Sequence, residues 1–129
     1  MTQCPCFALI GGDLAPKTFE KDVTLKVIQL ATTGDLRTIQ LTNRYFPALP
    51  DELRRCSKMR HLSLVYAHTE TLPIWTKEYT HLEYLYIEGA FDSSLLELPP
   101  DMLDEMSSLT FIHLEMHLRL QTLPSCTDM

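Results

Sequence analysis

Met59-Arg60-His61-Leu62-Ser63-Leu64-Val65 is the stretch on which the fold turns, because the chain writes its apolar frame four times. The same frame recurs as Leu36-x-x-Ile39-x-Leu41, Leu82-x-x-Leu85-x-Ile87 and Leu109-x-x-Ile112-x-Leu114. The units begin at 36, 59, 82 and 109, in steps of 23, 23 and 27 residues. Periods of this size mark repeat architectures, in which one unit cannot bury its apolar face alone and must stack on the next.

Within the phrase, successive side chains of an extended segment point to opposite faces, so Leu62 and Leu64 are predicted inward and Ser63 and Val65 outward. Stacking at the strand spacing of roughly 4.8 Å sets Leu85 and Ile87 beside them, in a short parallel sheet. The rest of each unit has to turn and return. Leu49-Pro50, Leu72-Pro73, Leu98-Pro99 and Leu123-Pro124 punctuate that return. Leu53 with Cys56, and Leu103 with Met106, are spaced to face the same core from a short helical or 3₁₀ segment. Asp51 and Asp101, just after prolines, are the expected N-caps of those segments. Cys56 takes a leucine slot and reads as a buried thiol, and Trp75 as packing on the outer side.

This pattern resembles the leucine-rich repeat from Leu36 to Pro124, and the Leu-Pro steps eight residues after Leu41 and Leu64 look like the 23-residue class of that family. Phrases such as Ala31-Thr32-Thr33-Gly34-Asp35-Leu36 and Leu49-Pro50-Asp51-Glu52-Leu53-Arg54-Arg55-Cys56 are also similar to the large oomycete sets of such repeats. The resemblance implies an α/β leucine-rich repeat solenoid, a right-handed β-α superhelix with a concave parallel sheet and a helical, 3₁₀ or irregular convex side. Two departures stand out. Where the family places an asparagine, three residues past the last strand leucine, this chain has Arg44, Ala67, Ala90 and His117, so other groups must satisfy the backbone there. The third unit also carries extra residues, most simply within Phe91-Asp92-Ser93-Ser94, which should form an exposed loop.

Residues 1–35 read as an N-terminal cap. Leu25-x-x-Ile28-x-Leu30 imitates the strand phrase but lies too close to Leu36 for a strand and a return. It is predicted as a helix over about 22–33, capped by Asp22, stopped at Gly34 and laid across the open edge of the first repeat. Before it, Phe7-Ala8-Leu9-Ile10 reads as a short strand ended by a Gly11-Gly12 turn. Residues 36–129 hold the repeats. No closing cap follows Leu123-Pro124, so the leucines of the fourth unit should face water, and a fragment of a longer protein is expected.

Composition narrows the function. The chain has 129 residues, with 22 leucines against 6 isoleucines and 3 valines, which suits leucine-filled repeats better than a sandwich or barrel. The net charge of -6 and the absence of basic runs beyond pairs such as Arg54-Arg55 disfavour nucleic-acid and anionic-membrane partners. The apolar runs are too short to span a bilayer, and the N-terminus lacks a signal-peptide pattern. Cys4, Cys6, Cys56 and Cys126 match no zinc or redox spacing, and a disulfide from Cys4 or Cys6 to sequence beyond this chain stays open. The five histidines show no metal-binding spacing, and no nucleophile elbow or phosphate loop is present, so no cofactor, metal or catalytic residue is expected.

Stacking instead aligns outward residues in columns: Thr38, His61, Tyr84, Phe111; then Gln40, Ser63, Tyr86, His113; then Thr42, Val65, Glu88, Glu115; then Asn43, Tyr66, Gly89, Met116. The candidate binding face is His61, Tyr66, Tyr84, Tyr86, Glu88, Phe111, His113 and Glu115. Rigid aromatics flanked by carboxylates are the type that anchors protein interfaces, although aromatics also pair well across strands for packing alone. The expectation is a non-enzymatic module that binds a protein or peptide, with an intracellular scaffold or regulatory protein as the alternative and a metal-dependent or hydrolytic enzyme as the least favoured reading. The family resemblance places an extracellular or membrane-attached parent slightly ahead of a cytoplasmic one.

Overall fold

A computed structural model of the chain describes residues 8–12, 21–89 and 98–115. It is a mixed α/β structure built on one parallel sheet of five strands: β1 (Ala8–Gly12), β3 (Thr38–Thr42), β5 (His61–Val65), β6 (Tyr84–Glu88) and β7 (Phe111–Glu115). Their order in the sheet is their order in the chain, so each strand pairs only with its predecessor and successor. The register carries the repeat without slippage. Thr38 stands against His61, His61 against Tyr84 and Tyr84 against Phe111, with every later row in step.

The inward row follows from the same alternation. Ile39, Leu41, Leu62, Leu64, Leu85 and Ile87 are almost wholly excluded from solvent, in one core with Leu36, Met59 and Leu82 from the residues ahead of each strand. Burying a leucine side chain contributes about 1.5–3 kcal/mol, so this row is the main source of cohesion between units. At β7, the edge strand among the described residues, Ile112 is 40% exposed and Leu114 half-buried.

Short outer segments close the units. The 3₁₀ turns Asp51–Arg55 and Ile74–Glu78 and the helix α2 (Met102–Glu105) send Leu53, Trp75 and Met102 into the core, with Cys56 and Met106 following. Successive segments pack on one another, from the helix α1 (Thr24–Ala31) through the two 3₁₀ turns to α2. Tyr79 links them, its hydroxyl donating to the Leu53 carbonyl at 2.7 Å from a buried ring. Burial pushes the Tyr79 phenol far above its ordinary range. Trp75, as expected, packs here, edge-on to Tyr79 and within 3.4 Å of Asp51 Oδ1.

Several expectations need correction. Gly11 and Gly12 form no turn: they complete β1, which pairs with β3 from Ala8↔Thr38 to Gly12↔Thr42. Hence the edge of β3 is covered by a strand, and α1 packs on the outer side against the first 3₁₀ turn. The helix is shorter than 22–33. Asp22 belongs to a two-residue strand, β2 (Lys21–Asp22), paired with β4 (Arg44–Tyr45), though its carboxylate does accept the Thr24 N–H at 2.9 Å. Gly34 terminates the helical region as expected, at φ +76° with its N–H on the Ala31 carbonyl. Neither Asp51 nor Asp101 caps through its side chain. Pro50 occupies the cap position of the first 3₁₀ turn, and Asp101, itself left-handed, makes no capping hydrogen bond.

Backbone groups just past the strands are satisfied by other backbone groups and by one hydroxyl. Just past each strand, Asn43 N–H donates to Val65 O, Tyr66 N–H to Glu88 O and Gly89 N–H to Glu115 O. Farther along the turn Phe46 N–H donates to Ala67 O, and the buried Thr69 hydroxyl donates to Phe46 O at 2.7 Å. Ala90, His117, the loop expected at Phe91-Asp92-Ser93-Ser94 and the Leu123-Pro124 return lie outside the described residues, as do Cys4, Cys6 and Cys126.

Candidate functional site

The outward face of the sheet assembles every residue singled out from the sequence. The first outward column holds His61, Tyr84 and Phe111, the second Tyr86 and His113, and the third Glu88 and Glu115. Tyr66 joins from the position after β5. Of its own column, Asn43 is buried, which removes it from the face, and Met116 lies outside the described residues.

Strand register brings four rings into one layer. Tyr84 stacks on Phe111 with centroids 4.6 Å apart and planes within 5°, and Tyr86 stacks on His113 at 4.5 Å and 4°. The two pairs lie side by side, Tyr84 to Tyr86 at 6.4 Å and Phe111 to His113 at 6.3 Å. His61 extends the layer with a tilted contact on Tyr84 at 5.8 Å. Each such pair contributes about 0.5–1.5 kcal/mol beyond area burial. Phe111 is nevertheless 42% exposed, so the layer presents apolar surface to solvent.

The carboxylates are held by this layer. Tyr66 and Tyr86 donate their hydroxyls to the two oxygens of Glu88, at 2.9 and 3.0 Å. His113 Nε2 lies 2.9 Å from Glu115 Oε2. Donating to Glu88 holds both phenols above the ordinary tyrosine range, because their ionisation would break that bond and set two negative charges together. These bonds also explain how Glu88 and Glu115 can stand directly opposite one another, a like-charge pairing that otherwise destabilises a sheet. Tyr66 is held at φ +53°, a left-handed conformation that costs a non-glycine residue roughly 1–2 kcal/mol, and there its phenol reaches Glu88.

A basic cleft lies at another margin of the sheet. Arg37, Lys58, Arg60 and His81 line an open cleft of about 240 Å³ at the N-terminal ends of β3, β5 and β6. Along the chain they are scattered, yet Arg37 and Arg60 follow the first residue of successive units, and Lys58 and His81 precede it. The 23-residue step applied to the residues flanking Leu36, Met59 and Leu82 would have found them.

Little else has the character of a site. Cys56 is a free buried thiol, 3.7 Å from the Ala31 carbonyl, and burial pushes its pKa up, the opposite of an activated nucleophile. Among the described residues no group of His, Cys, Asp and Glu is placed to hold a metal ion, and no helix is long and apolar enough to cross a membrane. No protein-family model matches the sequence, and no curated protein matches it either.

Proposed function

We propose that the chain is a leucine-rich repeat module, its sheet forming the concave wall of a solenoid, and that it recognises a protein or peptide through the ring layer on that wall. The observation that carries this reading is the near-parallel layer of Tyr84, Phe111, Tyr86 and His113, stacked on one another with Phe111 exposed and the other three half-buried. Large rings fixed before binding lose little entropy on contact, and such groups dominate interface energetics. Glu88 and Glu115 at the border of the layer favour segments bearing arginine or lysine, which gain from both the ring faces and the carboxylates.

Random peptides displayed on phage and selected on the intact chain test this. Enriched peptides should be rich in arginine, lysine and aromatics, and should bind a Tyr84→Ala, Tyr86→Ala, Phe111→Ala variant at least about 30-fold more weakly, as loss of a central anchor costs about 2 kcal/mol or more. These side chains project from the sheet, so retained far-ultraviolet dichroism confirms that the variant folds. Peptides that bind the variant as well as the parent, or no enrichment over bare support, would sink the assignment.

A further inference from the structure

We infer that the outward face holds a notch over Ser63 that takes the guanidinium of an arginine on the partner, slotted against the open face of Tyr86 and bonded at its edge to Glu88. The inference rests on the reading of this face as a peptide-binding wall, and it names the side chain that docks there.

The way the rings stand is the first ground. Tyr86 and His113 are parallel within 4° at 4.5 Å, and Tyr84 and Phe111 within 5° at 4.6 Å. Parallel rings this close overlap face to face. Laid flat on the sheet they would collide, so they stand on edge with their faces turned toward the neighbouring strands. Each ring on β6 therefore gives one face to β7 and turns the other toward β5. For Tyr84 that second face meets His61 at 5.8 Å. For Tyr86 the counterpart on β5 is Ser63, and among the described residues the ring contacts of Tyr86 are with Tyr84 and His113 alone.

The second column thus breaks off after two rings, over a small residue. Ser63 forms the floor of a notch, with Tyr86 on one side, Gln40 of β3 on the other, and His61 and Val65 two residues away along β5. From Tyr86 to Gln40 is two strand spacings, roughly 9.6 Å, which leaves room for one planar group on the far side of Tyr86 from His113. Ser63 and Tyr86 are half-buried and Gln40 is exposed, so solvent reaches the notch.

Charge selects the planar group. Glu88 follows Tyr86 by two residues on the same face, and its carboxylate is fixed between the Tyr66 and Tyr86 hydroxyls. A carboxylate offers about four lone-pair positions, so the two phenols leave it able to accept further donors. No lysine or arginine stands at an outward position of the five strands. A guanidinium meets both demands at once, because it stacks on an aromatic face through its plane and donates N–H bonds from its edge. The ammonium of lysine is a compact point charge that does not fill a slot beside a ring plane, and a phenyl ring fills it without serving Glu88.

The test is an NMR titration of the intact chain with acetyl-arginine methylamide, beside its lysine and citrulline counterparts. Citrulline keeps the plane and loses the charge; lysine keeps the charge and loses the plane. The arginine probe should give saturable shifts centred on the Ser63 and Tyr86 amides and bind at least about fivefold more tightly than either, the scale of one cation–π contact. Ser63→Leu fills the notch, keeps every ring and should abolish those shifts, whereas Ser63→Ala leaves the notch open and should bind as the parent does. Unchanged ring-carbon shifts of Phe111 in both variants show that the layer is intact. The phage-selected peptides separate this site from the broader reading. Binding lost both to the alanine variant at Tyr84, Tyr86 and Phe111 and to Ser63→Leu supports the notch. Binding lost to the alanine variant alone overturns it and leaves the ring layer as the anchor. Equal binding of the three probes, or shifts that Ser63→Leu leaves in place, overturns it as well.

Discussion

The outward sheet face and the cleft at the strand starts are built by the same operation, one residue type laid over its counterpart in the next unit, yet they stack opposite charges: carboxylates among rings on the face, cations at the strand starts. On the face, Glu88 over Glu115 is answered by hydroxyls and an imidazole that belong to the same layer. In the cleft, Arg37 and Arg60 follow one another with Lys58 and His81 alongside, and the carboxylate that reaches Arg60 is a distant one. A stacked column therefore amplifies whatever its position carries.

The harshest way to break the comparison is to remove what the two regions share. Leu85 is fully buried beneath the ring layer and continues the core behind the cleft, so Leu85→Ala should lower unfolding free energy by about 2–5 kcal/mol in a urea melt and weaken both regions together. If one site survives intact while stability falls by that amount, the two do not rest on a common core.

Gly34→Ala separates them. A Cβ there would meet the Arg55 carbonyl at 3.2 Å on a backbone already left-handed, so the substitution should cost about 1–2 kcal/mol and shift the chain that delivers Arg37. The expected outcome is a displaced Arg60 amide with an unaltered ring layer, read from the amide shifts of Arg60 and of Tyr86 in the same spectrum.

The gentlest intervention acts on the face alone. Because Tyr66 and Tyr86 donate to Glu88, their folded-state pKa values are raised above the ordinary value of 10.0. For a group shifted upward the stabilisation is fully present below the unfolded value and is lost as pH climbs through the folded one, so this contribution fades only above pH of about 10. Glu88→Gln should bring both phenol titrations down toward the ordinary value, measured by ring carbon shifts against pH. Unchanged titration curves would show that the carboxylate does not hold the phenols.

How far the sequence foretold this structure depends on whether a residue's role is set within its own unit. The strand columns were legible because the phrase around Leu36, Met59, Leu82 and Leu109 dictates inward and outward positions, and Tyr84 and Phe111 could be placed opposite one another from spacing alone. Gly11 and Gly12 were misassigned because a glycine pair favours a turn locally, whereas pairing with Leu41 and Thr42 holds it extended. Asp51 was misassigned for a similar reason: Trp75 from the following unit takes its carboxylate. The basic cleft is not legible from the strand alternation, because Arg37 and Arg60 come just before the strands begin and Lys58 and His81 stand ahead of the phrase, where no inward or outward position is dictated.

The strand order has a consequence for motion. Because β1, β3, β5, β6 and β7 follow one another across the sheet as they do along the chain, opening one end breaks contacts with a single neighbour and leaves the rest paired. Among the described strands, such an array should open from its margins inward, with slower amide exchange in β5 than in β1 or β7. The ring layer straddles β6 and the marginal β7, so whatever binds both strands at once would also clasp the array shut.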